Sequence, residues 1–130
     1  MYTAKLAKHR PCSLILLRIV IGAIFLTHGY MKWSSFETAT PLFKILAIAE
    51  PLGGIAVMIG MLTRWASAGL AVIMLGAMYT KIGNVGVLGF AGKGGWEFDA
   101  IIFAGTMVLI MHGPGKWALD VWARWEKEER

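Results

Sequence analysis

Charge is scarce in this chain. Of 130 residues only 16% are Asp, Glu, Lys or Arg, against 57% hydrophobic, and the mean hydropathy is +0.61. A soluble domain of this length could not hide that much apolar surface, so a water-soluble globular fold is excluded and a lipid-embedded one implied. Cysteine is scarcer still: Cys12 stands alone and there is no C-x-x-C. The subunit by itself cannot exchange thiols and disulfides through a cysteine pair, and Cys12 reads as a small apolar filler. Proline is missing from residues 83–95, where Gly83, Gly86, Gly89, Gly92 and Gly95 recur every third residue. Its absence excludes collagen, and the absence of a following GK[ST] excludes a phosphate loop. What remains is a flexible outer loop or, more sharply, a lid over an outward-facing site. His9, His28 and His112 fall at different depths without ligand spacing, so no metal is expected. Basic residues are not clustered with aromatics on a soluble face, which argues against nucleic acid. The net charge of +5 instead concerns orientation and anionic headgroups.

What the chain has is long apolar runs. Four are predicted to span the bilayer, at about 13–33, 41–62, 65–83 and 96–112. The first follows Lys5, Lys8, His9, Arg10 and Pro11, and it is too long for a signal peptide, with no A-x-A after it. Pro51 lies inside the second and must disturb its backbone, because it removes a donor and crowds the preceding turn. In the third, Gly69, Gly76 and Gly83 recur every seventh residue, near one face, as close packing would want. The fourth spans only about 25 Å, short unless its ends are interfacial. Gly113-Pro114-Gly115 then stops the helix, and 116–130 reads as a surface helix with Trp117, Val121, Trp122 and Trp125 on one side. The whole is an all-α integral membrane four-helix bundle, one domain over 1–130. Lys5, Lys8, Arg10, Arg64, Lys116, Arg124, Lys127 and Arg130 place both termini in the cytoplasm by the positive-inside rule.

Ionisable residues inside the runs are the candidates for chemistry, because charge in hydrocarbon is costly and is paired or functional where it occurs. His28 and Lys32 are four apart and share a face in the outer part of the first span. Lys81 ends the third span and Glu97 starts the fourth, on the same side. Glu50 lies near mid-bilayer, just before Pro51. Carboxylate, imidazole and ammonium converging there would form a proton-handling site. The bland alternative is that Lys32, Lys81 and Glu97 reach into headgroups and that His28 is a packing residue. A second set, Arg18, Arg64 and Asp120, lies toward the cytoplasmic side. Asp120 is expected to pair with Arg64 or Arg18 and pin the C-terminal helix to the bundle.

These residues also resemble a known family. Leu17-Arg18-Ile19 followed by His28-Gly29-Tyr30-Met31-Lys32 resembles the first span of the DoxX family. Glu50-Pro51-Leu52-Gly53-Gly54 and Gly60-Met61-Leu62-Thr63-Arg64 resemble its second span and turn. Gly95-Trp96-Glu97, then Gly113-Pro114-Gly115 with Leu119-Asp120, resemble its last span and end. The resemblance implies a small four-helix prokaryotic membrane protein in a redox setting. Related DoxD-type proteins belong to a membrane thiosulfate:quinone oxidoreductase, and other relatives accompany sulfurtransferase or superoxide-dismutase partners. The expected function is then a cytoplasmic-membrane subunit of a redox system that handles a quinone or its protons. Glu50 would exchange the proton, His28 and Lys32 would bind or polarise a quinone oxygen, and Lys81 and Glu97 would complete the mouth. The alternatives are a scaffold in a larger complex or homo-oligomer, and, more remotely, a small-solute transporter.

Overall fold

The computed structural model describes residues 10–84, 86–87 and 94–123, with side chains from Cys12 on. Every regular element among them is helical: α1 (Arg10–Trp33), α2 (Pro41–Ile59), α3 (Thr63–Ile82), α4 (Trp96–His112) and a single turn, α5 (Leu119–Trp122). The punctuation of the sequence sets these bounds. Thr40 caps α2 by accepting the Phe43 N–H at 3.4 Å, and Pro41 follows at the first helical position. Gly60 ends α2 at φ 76°, a left-handed conformation that only glycine takes freely. That stop lies three residues short of the sequence expectation of 62, and α3 begins at Thr63 rather than 65. The helix runs on through Pro51.

Three helices, α1, α2 and α3, are long and apolar enough to cross a membrane. Burial shows the solvent they are built for. Arg18, Glu50, Thr63, Ser67, Asp99, Thr106 and Asp120 are buried, while Leu16, Ile45, Leu52, Val72, Ile101 and Met111 are exposed. Large apolar side chains outside and charges inside are unfavourable in water and favourable in lipid. The protein is a membrane protein.

Successive helices run antiparallel, and the closest packing is within the hairpins α1–α2 and α3–α4. Glycine brings α1 and α2 together. A Cβ on Gly22 would stand 2.6 Å from the Gly54 carbonyl, and one on Gly29 would strike the Pro51 ring. The interior between the helices is apolar, made of Ile21, Phe25, Val57, Leu70, Met74, Ile102 and Leu109. Gly69, Gly76 and Gly83 do not supply this packing: nothing lies within 4 Å of a Cβ on any of them. Their spacing puts them on one face, as expected, but that face points away from the other helices.

Past α4 the chain turns back under the bundle. Lys116 to Ala118 is not helical, and Ala118 is extended (φ −130°, ψ 148°), so helix starts at Leu119 instead of 116. Trp117 and Trp122 are exposed, as an interfacial segment requires. Trp125 and the rest of 124–130 lie outside the described residues.

Candidate functional site

At one end of the molecule the loop-side halves of the helices bring ionisable groups together. Lys32, in the last turn of α1, reaches across to α2, and its ammonium donates to Glu50 Oε1. Gly29 is what allows that reach, since the absent side chain lets Pro51, and Glu50 beside it, approach α1 closely. The Glu50 side chain is 3% exposed and that of Lys32 is 21% exposed. The carboxylate is thus buried and the ammonium is partly exposed. Lys32 Nζ also lies 5.7 Å from the centre of the Phe43 ring, a favourable cation–π position. Glu50 Oε2 is buried and makes no hydrogen bond within the described chain.

Lys81 stands in the last turn of α3. It pairs with Asp99 on α4, Nζ to Oδ2 at 2.8 Å. Asp99 is 2% exposed and was missed from the sequence, where Glu97 stands out as the first acid of the span. One signal was available: the carboxylate follows its lysine by 18 residues in both pairs. Glu97 turns back on its own helix start, with Oε2 beside Gly95, buried and without a hydrogen bond. Loop residues close over this start: Gly86 and Val87 carbonyls accept from Trp96 and Glu97 N–H at 3.4 and 3.5 Å. Gly89 and Gly92 of the expected lid lie outside the described residues.

His28 joins α1 to α4 at this end. It lies one turn before Lys32 on α1, and its ring faces Phe98 on α4 at 6.1 Å between centres. Phe98 is next to Asp99 in the chain, so this contact ties the Lys32–Glu50 side to the Lys81–Asp99 side. Among the described residues no hydrogen bond or ion pair joins the two pairs directly. Glu50, Lys32, His28, Lys81, Asp99 and Glu97 therefore share one end of the molecule, as two ammonium–carboxylate pairs, an imidazole and one further acid.

The opposite end is built differently. Arg18 is 2% exposed and donates to Val57, Met58, Pro114 and Trp117 carbonyls at 2.9–3.1 Å. One guanidinium thus satisfies the orphan carbonyls ending α2 and those of the returning chain. Asp120 accepts Leu62 and Thr63 N–H at 2.5 and 2.7 Å and donates its own N–H to the Gly60 carbonyl. It caps α3 from far away in sequence and lies within electrostatic reach of Arg18. Arg64 Nη1 donates to the Ile110 carbonyl at 3.0 Å, at the end of α4. The C-terminal segment is pinned to the bundle through backbone groups, the Leu62 and Thr63 N–H for Asp120 and the Pro114 and Trp117 carbonyls for Arg18.

Comparison with known proteins agrees with this architecture. The family model DoxX matches residues 13–82. An uncharacterised membrane protein of Mycobacterium tuberculosis is 32% identical over 85% of this chain and 80% of its own. An uncharacterised protein of Haemophilus influenzae is 29% identical over 88% of this chain and 93% of its own. A Bacillus subtilis protein named "Putative oxidoreductase CatD" is 28% identical over 82% of this chain and 83% of its own. No solved structure gives a significant match.

Proposed function

The chain belongs to the DoxX family, and from that premise we propose that it is a subunit of a bacterial membrane redox system that handles a quinone or its protons in an outward-facing polar pocket. In this reading α1 to α4 all span the cytoplasmic membrane, with both termini inside, and the Lys32–Glu50 end faces out. The redox setting draws on the family and on the relative named as an oxidoreductase. The observation that carries the proposal is Glu50, a buried carboxylate in a membrane helix, with one oxygen held by Lys32 and the other making no hydrogen bond.

Such a group suits both forms of a quinone. An ammonium has three donors, and Lys32 uses one on Glu50, leaving others for a carbonyl oxygen. The unengaged Oε2 of Glu50 can accept from the hydroxyl of the reduced form, and can hold the proton itself. His28, half-buried on the same face, lies where it can donate to the same oxygen or relay the proton outward. The quinone, when bound, supplies the electron-accepting chemistry; the protein holds it, orients it and manages protons. Apolar helix faces open to lipid leave a path for the tail.

Quinone retained by the purified protein, and lost from Glu50→Ala/His28→Ala, is the expected result. Unchanged quinone binding in that double variant would overturn the proposal. The second reading is a scaffold, favoured by the fact that each ion pair ties two helices together and that Gly69 and Gly76 lie on a face open to another helix. A scaffold would show stoichiometric protein partners or copies by native mass spectrometry, and no quinone.

A further inference from the structure

The two hairpins carry the same polar positions. In α1–α2, Arg18 in the first half of the first helix bonds the Val57 and Met58 carbonyls at the end of the second. In α3–α4, Arg64 near the start of the first helix bonds the Ile110 carbonyl at the end of the second. In α1–α2, Lys32 closes the first helix and pairs with Glu50 on the second. In α3–α4, Lys81 closes the first helix and pairs with Asp99 on the second. Lysine and acid are separated by 18 residues each time. The division of exposure is also shared: the carboxylates are 3% exposed in both pairs, and the lysines 21% and 32%. The second pair lies farther along. Arg64 to Lys81 is three residues longer than Arg18 to Lys32, about one helical turn or ~4.5 Å.

We infer that the hairpins are two repeats of one unit, and that Lys81–Asp99 is the second half of the ligand site whose first half is Lys32–Glu50. Asp99, and not Glu97, is the counterpart of Glu50. Repeats running in the same direction are a known way to build a membrane protein, with the ligand at the interface between them. Here α1 of the first repeat meets α4 of the second at the His28–Phe98 contact, one turn from Lys32 and next to Asp99 in the chain. Each half-site offers a partly exposed ammonium donor and a buried carboxylate acceptor. Two such halves on one ligand call for a flat ring with an oxygen at each of two opposite edges. The inference rests on the quinone reading and adds to it the second recognition group. The one-turn offset makes the halves unequal, so the two ligand oxygens are held at different depths.

The test is equilibrium binding of decylubiquinone to the full chain in detergent, for Glu50→Gln, Asp99→Asn and Glu97→Gln, each checked for helical content and monodispersity. Losing one hydrogen bond to a charged group should weaken binding about tenfold or more. Glu50→Gln and Asp99→Asn are each expected to do so, with Glu97→Gln within about twofold of the parent. If Glu50→Gln weakens binding and Asp99→Asn does not, the second half-site is wrong while the quinone reading stands. A loss with Glu97→Gln in place of Asp99→Asn overturns the pairing of equivalents. If neither Glu50→Gln nor Asp99→Asn has an effect, both readings fall. Should Asp99→Asn not fold, Lys81→Gln removes the same half from its exposed side and is expected to weaken binding by a similar factor; parent-like binding there overturns the inference.

Discussion

Asp120 Oδ2 accepts the backbone N–H of Thr63 at 2.7 Å across 57 residues of chain. With Oδ1 on the Leu62 N–H, the carboxylate does for α3 what a local capping residue does elsewhere, because α3 has no side-chain cap of its own. Leu62 takes a left-handed conformation at φ 48°, which costs free energy in a side chain with a Cβ. Asp120 holds it there. The end of the chain and the α2–α3 turn are therefore one structural unit.

Asp120→Ala removes two charge-assisted hydrogen bonds from buried N–H groups. It should destabilise the protein by about 2–4 kcal/mol. Thermal unfolding in detergent would show a clear drop in midpoint, and Leu62→Gly in the Asp120→Ala background should recover part of it by relieving the backbone. A melting point unchanged from the parent would mean that Asp120 does not hold the turn.

Lys32→Met leaves Glu50 buried without its cation, at an expected cost of about 3–5 kcal/mol. Adding Glu50→Met removes the stranded charge and should restore most or all of that stability. The double variant is expected to fold and to bind no quinone. A quinone-binding double variant would show that the pair is not part of the ligand site.

Glycines separate into two classes. Gly22→Ala and Gly29→Ala force a methyl into the Gly54 carbonyl and the Pro51 ring, and each should cost about 1–3 kcal/mol. Gly69→Ala and Gly76→Ala meet nothing and should be neutral or stabilising by up to about 1 kcal/mol, from helix propensity. Unfolding midpoints of the four variants decide this. If Gly76→Ala were as damaging as Gly29→Ala, a second helix would have to cover that face, as the scaffold reading holds.

Arg18→Lys keeps the charge and loses the fork. A lysine ammonium cannot serve carbonyls on both the α2 end and the returning chain, so at least one buried acceptor is stranded, at about 1–3 kcal/mol each. Lower yield of folded protein and faster proteolysis after Gly113 are the expected signs. Full retention of both would contradict the clamp.

Much of the fold was legible in order along the chain. Apolar run length marks α1 to α4, Pro41 opens α2, and Gly113-Pro114-Gly115 stops α4, while the stop of α2 at Gly60 was not read. Glu50 and Lys32 could be picked out because charge is conspicuous in an apolar run. Hydrophobic patterning could not tell Asp99 from Glu97, two residues away: α4 is apolar almost all round, so no stripe in its sequence says which acid faces in, and only the repeated 18-residue spacing pointed to Asp99. The heptad of Gly69, Gly76 and Gly83 has the same ambiguity, since spacing fixes a shared face but not what lies against it.

Composition and run length were thus enough to require a helical membrane protein with costly charges in its interior, because continuous apolar runs near 20 residues long satisfy their backbone in lipid as helices. Which charges meet was set by packing. The closeness of α1 and α2 at Gly29 and Pro51 put Glu50 on Lys32, the turn of α4 put Asp99 on Lys81, and the fold of the returning chain put Asp120 on α3. Those partners lie 18 to 57 residues apart, and only the rotation and depth of whole helices, a property of the assembled interior, selects them.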